Sequence, residues 1–345
     1  MKSLKDYSLN LSEDQYHAHP AWSQSLISRY AREGFRAMAD IHEPVASTPS
    51  MEFGSLFDSV MTRGKETLKH YAVFELAIPD AERKVLDYLV ANYTHADFGE
   101  LVVNDIEAAA KAVGYQSRWN PQTKYDHVVP FAKYYNTLKS GKKLISQKDW
   151  DDAMEMYTAF RNSPYLKSLF GTKNTEDVEY IYQPQFLVNM PLPSGKVVAM
   201  KVMVDLIVVN HKEKTIQLVD LKTSAMPAYD FAENFVKFRY DIEAAVYTDV
   251  VEIVKNMDKD YADYRILPFL FTDISRVDKV PVTYEYDPRG ESQIGGFSFK
   301  EYHYKPYYQL LDEMVEYEET NAVVPSYIKT EEPNDMLVIL NNSRR

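Results

Sequence analysis

Lys201-Val-Met-Val-Asp-Leu-Ile-Val-Val-Asn-His-Lys-Glu-Lys-Thr-Ile-Gln-Leu-Val-Asp-Leu-Lys-Thr223 carries the densest structural signal in the chain. Two runs rich in β-branched residues flank the polar stretch Asn210 to Lys214, the pattern of a β-hairpin. Each run holds one acid, Asp205 and Asp220. A turn centred between Lys212 and Glu213 sets these acids directly opposite each other, where Cβ atoms lie about 4.5–5.5 Å apart. Carboxylates that close repel unless a cation sits between them. Strand period puts Lys222 on the face of Asp220. The hairpin reads as a cation site, with either a bound metal or Lys222 itself neutralising the acids.

Outward from the hairpin, Val178 to Met190 reads as a strand that Pro184 demotes to an edge or bulge. A Pro193-Ser-Gly turn leads into the strand holding Asp205. Downstream, Pro227 precedes a long helix from about Tyr229 to Lys255, then an apolar strand from Arg265 to Thr272 and a helix over 299–319. Upstream, Trp22 to Met38 reads as an amphipathic helix with Leu26, Tyr30 and Met38 on its apolar side. Ser50 is placed to cap a helix from Met51 to Met61, on which Gly54 and Asp58 share a face. Tyr71 to Ile78 reads as a strand, and Pro79 to Asn92, Ile106 to Val113 and Asp149 to Asn162 as helices. The class expected is α/β, with a mixed central β-sheet containing an antiparallel meander flanked by helices. The division expected is an N-terminal helical part over 1–175, a core over 176–320 and a tail over 321–345.

The chain has 345 residues, enough to bury a sizeable core. No apolar run approaches the roughly 18–20 residues that cross a bilayer, and the N-terminus has no signal-like apolar region. A cytoplasmic protein without a membrane partner is expected. There are no cysteines, which excludes disulfides, zinc–thiolate sites and iron–sulfur clusters. Any metal must be held by oxygen or imidazole, and carboxylate-rich sites favour Mg²⁺ or Mn²⁺. No phosphate-binding glycine loop of the ATPase or dinucleotide type is present, and none of the 8 histidines has a metal-ligand spacing; His211 is expected in solvent at the hairpin turn.

The net charge is −12, unevenly spread. Between Lys111 and Lys148, 8 basic residues stand against the single acid Asp126, with Tyr115, Trp119, Tyr125, Phe131, Tyr134 and Tyr135 interleaved. This segment reads either as a solvated helical surface or as a surface for DNA phosphates and stacked bases, with Arg118, Lys124, Lys142 and Lys143 as its contacts.

The grammar Asp205…Asp220-Leu-Lys222, followed by a helix carrying Tyr240, Glu243 and Tyr247, resembles the PD-(D/E)XK nuclease superfamily. Phe238-Arg-Tyr-Asp-Ile-Glu-Ala-Ala-Val-Tyr is similar to the Tyr-x-x-Gln-x-x-x-Tyr helix of RecB-like and RecE-like nucleases, with Glu243 where Gln is usual. Leu11 to Ile27 resembles the opening of the RecE-type exonuclease VIII domain, and Pro49 to Met61 its Gly-x-x-x-His helix, with Asp58 in place of His. Gln183 or Gln185 stands where the family often places Glu. The resemblance implies a restriction-endonuclease-like fold and a Mg²⁺- or Mn²⁺-dependent exonuclease on linear double-stranded DNA. It assigns the metal to Asp205, Asp220, the Leu221 carbonyl and, as an open candidate, Asp58. Lys222 would stabilise the attacking hydroxide, and Tyr240, Glu243 and Tyr247 would position substrate or water. It further implies 5′→3′ digestion, a ring-shaped homo-oligomer, a single-strand-annealing partner and a setting in phage-type recombination in the bacterial cytoplasm. An endonuclease, an RNA-directed nuclease, or a catalytically silent DNA-binding or inhibitor-type interaction protein of the same fold are the alternatives.

Overall fold

The computed structural model describes residues 3–43, 45, 47–289, 296–300 and 302–320; the expected tail over 321–345 lies outside them. In chain order the strands are β1 (Tyr71–Val73), β2 (Lys143–Ile145), β3 (Val178–Tyr182), β4 (Gln185–Pro191), β5 (Val197–Met203), β6 (Leu206–Asn210), β7 (Thr215–Ser224), β8 (Arg265–Ile266), β9 (Phe269–Ser275), β10 (Pro281–Tyr286), β11 (Phe297–Phe299) and β12 (Tyr302–Tyr304). The chain divides into two compact units, Ser47–Asn162 and the residues on either side of it. This division differs from the expected one, because residues before Ser47 and from Ser163 to 175 belong with the sheet.

The sheet unit is built on β7, which has partners on both sides in the order β10-β9-β7-β6-β3, with β8 beside its start. The β6–β7 hairpin is antiparallel and keeps the register expected from its turn, with Leu206 opposite Val219 and Asn210 opposite Thr215. Strand β9 runs parallel to β7, Asp220 pairing with Phe271 and Lys222 with Asp273. Parallel neighbours need a long crossover, and the helix Tyr240–Asn256 supplies it. The mixed α/β sheet flanked by helices is as expected.

Several elements differ from the expected ones. The strand over 178–190 breaks where Gln183 takes a left-handed φ of 48° ahead of Pro184, because proline has no N–H for a ladder. Beyond the break β4 leaves the main sheet and pairs with β5. The helix over 229–255 is two helices, Phe231–Phe238 and Tyr240–Asn256, separated by Arg239 at φ 59°. Its guanidinium holds Asp241 through two 2.9 Å bonds and donates to the Lys305 carbonyl at 2.8 Å. The C-terminal helix starts only at Tyr307, after Pro306 and the β11–β12 pair.

The segment from Leu9 to Trp22 completes this unit. Leu9 bridges Gln185 and Trp22 bridges Met200. The buried Lys201 ammonium donates to the carbonyls of Tyr16, His17 and His19 at 2.8, 3.1 and 2.7 Å. The amphipathic helix expected over 22–38 is α-helical only from Gln24 to Glu33, and Gly34 turns it into a 3₁₀ segment.

The second unit packs helices Pro49–Arg63, Asp80–Asn92, Val103–Ala112, Pro121–Val128, Ala132–Lys139 and Gln147–Asn162 with the parallel pair β1–β2. Thr48, not Ser50, caps the first helix, its hydroxyl accepting from the Met51 N–H at 3.3 Å with Pro49 at the first helical position. The strand expected over 71–78 is three residues long.

Candidate active site

Asp220 and Lys222 project from the same face of β7, as the two-residue period requires. Phe271 and Asp273 stand beside them in register on β9. The crossover helix brings Tyr240, Glu243 and Tyr247 to this neighbourhood. Lys222 Nζ lies 2.8 Å from Asp220 Oδ2 and 3.0 and 2.8 Å from the two Glu243 oxygens. Its ammonium sits 4.6 Å from the centre of the Tyr240 ring, within cation–π range.

Asp205 lies one residue before β6, at the continuation of the hairpin register. Its carboxylate crosses to the partner strand, Oδ2 accepting the Leu221 N–H at 2.8 Å. The expected confrontation of two bare acids is thus resolved by the backbone on one side and an ammonium on the other. Asp205 still acts on the cluster, its charge adding to the field that keeps Lys222 protonated.

Electrostatics divide the buried groups. Burial opposes the charge on Lys222, but Asp220 and Glu243 outweigh it and hold the pKa well above the usual lysine value. Burial and then the Asp220 charge push Glu243 up to about 8, against the pull of Lys222. One ammonium therefore does not neutralise the carboxylates around it. Burial also pushes the Tyr240 hydroxyl up to about 12 and that of Tyr247 well above its usual value. Both tyrosines remain neutral donors at physiological pH. Tyr247 is 7% exposed and packs into the core, so its aromatic body is structural.

Asp220 Oδ2 is buried and has no hydrogen-bond partner, its contact with Lys222 being an ion pair without bond geometry. The Lys222 ammonium is the cation this oxygen already has, and its capacity for a further hydrogen bond is unused. Among the described residues no three His, Asp and Glu side chains form a ready-made metal cage. Asp205, Asp220 and the Leu221 carbonyl are oxygen donors of the kind Mg²⁺ takes, one or two carboxylates with several waters kept.

Sequence reasoning missed Asp273. It is 1% exposed, its Oδ1 has no partner, and Ser224 reaches its other oxygen at 3.2 Å. Burial, partly offset by Ser224, pushes its pKa up to about 6. The signal was available, since an acid within Phe-Leu-Phe-Thr-Asp-Ile-Ser is as unusual as the two that were noticed. The buried Gln185 amide is structural, tying down Leu11 through its oxygen and nitrogen, and the Gln183 backbone N–H donates to the Asp205 carbonyl at 3.0 Å. His211 is half-buried and bonds Tyr264 at 3.0 Å, so it is not in solvent as expected.

The remaining expected contacts, Asp58, Arg118, Lys124, Lys142 and Lys143, all belong to the Ser47–Asn162 unit. Lys124 is 2% exposed and paired with Glu107 at 2.8 Å, so its charge is spent inside the unit, contrary to the expected phosphate contact. Lys142 donates to the Leu68 carbonyl at 3.0 Å. Arg118 and Lys143 are exposed. Tyr115 and Tyr135 are core residues, and Trp119, Tyr125, Phe131 and Tyr134 pack against the same cluster. Most of the interleaved aromatics thus serve helix packing rather than a base-stacking platform.

No protein-family model matches this chain, and no curated protein matches it. No helix among the described residues is long and apolar enough to cross a membrane.

Proposed function

We propose that this chain is a divalent-metal-dependent nuclease with a restriction-endonuclease-like core, acting as an exonuclease on linear double-stranded DNA. The observation that carries this reading is the meeting of Asp220, Lys222 and Glu243 in one buried cluster, with Asp220 Oδ2 ion-paired to Lys222 but accepting no hydrogen bond. The antiparallel β6–β7 hairpin, the crossover helix and parallel β9 support this reading, because they bring Asp220, Lys222 and Glu243 together.

Asp205, Asp220 and the Leu221 carbonyl would hold Mg²⁺ or Mn²⁺. The bound ion would polarise the scissile phosphate and supply a water of lowered pKa. The chain's own groups do the rest. Lys222 keeps its proton because two carboxylates face it, and it offers that charge to the phosphate oxygens as negative charge develops. Tyr240 gives Lys222 an aromatic wall that limits its orientation. Glu243 fixes the ammonium from the helix side. Digestion in the 5′→3′ direction, a ring-shaped oligomer and an annealing partner remain expectations of the resemblance.

One observation favours a second reading. The Glu243 carboxylate occupies Lys222 with both oxygens, which suits a nuclease fold that binds nucleic acid without cutting it. Incubating linear duplex DNA with the protein in Mg²⁺ or Mn²⁺ separates the two. Cleavage that EDTA abolishes and that Asp220→Asn lacks supports the enzyme; no cleavage with either ion overturns it. Circular duplex DNA and RNA in parallel distinguish exonuclease from endonuclease and DNA from RNA.

A further inference from the structure

The helical Ser47–Asn162 unit contains a groove of about 700 Å³ that the nuclease reading does not use. Its volume falls in the roughly 300–1,000 Å³ range of small-molecule sites. The groove lies between the first turn of the helix Asp80–Asn92 and the loop that follows the helix Val103–Ala112.

That loop is held from both ends. Gly114 and Gln116 take left-handed φ values of 70° and 39°. The Trp119 N–H closes a turn onto the Gln116 carbonyl at 3.0 Å. Asn120 then caps the next helix, accepting the Thr123 N–H at 2.8 Å. Arg118 and Trp119 are therefore presented by a pinned turn, and pre-set geometry lowers the cost of binding.

Charge in the groove is one-sided. Lys84 and Arg118 both line it and are exposed, and neither makes a hydrogen bond or ion pair with a described residue. The acid in the lining, Asp80, is neutralised by Arg83 from outside the groove. Two unmatched cations, one of them a planar guanidinium, fit a phosphate dianion. Trp119 adds a half-buried indole to the wall, backed by the His127 ring at 4.4 Å. An aromatic wall beside two cations suits a ligand with a charged end and a flat end.

We infer that this groove binds a phosphomonoester of an aromatic base, with Lys84 and Arg118 on the phosphate and Trp119 against the base. The ligand chemistry could come from a free nucleotide or from the phosphorylated terminal nucleotide of a strand. The inference does not depend on the nuclease reading, because the groove is complete within its own unit.

The test is tryptophan fluorescence of the full-length protein in EDTA, which prevents any metal-dependent hydrolysis. The probes are dAMP, inorganic phosphate, deoxyadenosine, and a short single-stranded oligonucleotide with and without a 5′-phosphate. Saturable quenching by dAMP, lost in Trp119→Phe and weakened at least tenfold in Arg118→Ser and in Lys84→Ser, is expected. Deoxyadenosine and inorganic phosphate should each bind at least tenfold more weakly than dAMP. Stronger binding of the 5′-phosphorylated oligonucleotide than of dAMP assigns the strand end as the source, and the reverse assigns the free nucleotide. Absence of saturable quenching by both dAMP and the phosphorylated oligonucleotide overturns the inference. So does binding that ignores the serine substitutions, or deoxyadenosine binding as tightly as dAMP. Because both cations are exposed, the serine variants should fold normally, and circular dichroism verifies this.

Discussion

Glu243 holds Lys222 with both carboxylate oxygens, at 3.0 and 2.8 Å, while Asp220 approaches the same ammonium from the strand side at 2.8 Å. The lysine is shared by two buried acids, and its single charge would not cancel both if both were ionised. The burial- and charge-driven rise of Glu243 to about 8 expresses that excess.

Replacing Glu243 by Gln keeps the shape and removes the negative charge that this carboxyl, pushed up to about 8, acquires only as pH rises through that value. Lys222 then faces Asp220 alone, and a phosphate approaches a less negative site. Above about pH 8, metal-dependent cleavage of linear duplex DNA should exceed that of wild type, by about tenfold if about 1.4 kcal/mol of repulsion is relieved, and the two should differ little near pH 6. A fall below a tenth of the wild-type rate would show instead that the carboxylate is needed for the reaction.

If Asp220 holds the metal as proposed, stability is metal-linked. Ligand binding to the folded state raises the melting temperature, by about 2.7 kcal/mol of added stability at a hundredfold excess over Kd. Titrating Mg²⁺ or Mn²⁺ in a thermal-unfolding series should shift the wild-type transition upward and leave Asp220→Asn almost unmoved. Equal shifts in both proteins would place the cation elsewhere.

Asp273 predicts a stability difference with a defined pH window. Its folded pKa, about 6, lies above the ordinary 3.8. A raised acid pKa means that folding favours the protonated form. Its stabilising contribution is therefore present below pH 4 and lost as pH rises through about 6. Two pKa units correspond to up to about 3 kcal/mol. Asp273→Asn, compared with wild type by urea unfolding, should gain relative stability between about pH 4 and 6 and show little further gain above 7. A difference that stays flat with pH would mean that Asp273 is already compensated.

Lys201 predicts a local effect. Its ammonium gathers three backbone carbonyls of the 16–19 segment, although burial lowers its pKa. Lys201→Met leaves those carbonyls without their donor, at about 1–3 kcal/mol for each buried group that water does not reach. Hydrogen exchange should speed up in the stretch from Tyr16 to Trp22 while the centre of β7 stays protected. Unchanged exchange there would show that the Leu9 and Trp22 bridges hold the segment without the lysine.

The parts of the fold that could be read from the chain were those fixed by local pattern. Turn symmetry gave the β6–β7 register, because one buried face forbids a slip. Helical spacing gave Tyr240, Glu243 and Tyr247 as one face. The breaks at Gln183 and Arg239 were harder, because a non-glycine residue in the left-handed region leaves little trace in composition. Arg239 is held there by contacts to Asp241 and Lys305, the second of them far along the chain. The same limit applies to the basic aromatic segment. Interleaved Lys and Tyr look alike whether the rings face a helix core or a base, and only packing shows that Tyr135 and Lys124 point inward. Asp273 leaves a trace in the sequence as a lone acid inside an apolar strand, whereas Asp205 and Asp220 stand out as a pair.

The pairing of Ser8 and Leu9 with Gln185 spans 177 residues of chain. During synthesis the first strand-like segment emerges long before its partner exists. At about 5–20 residues per second the wait is on the order of ten to thirty-five seconds. The whole Ser47–Asn162 unit is made in that interval and can fold as an independent body while the N-terminal arm stays unpaired. Assembly of the sheet is therefore timed by the arrival of its late strands, and the arm is the portion most open to proteases or wrong partners until then.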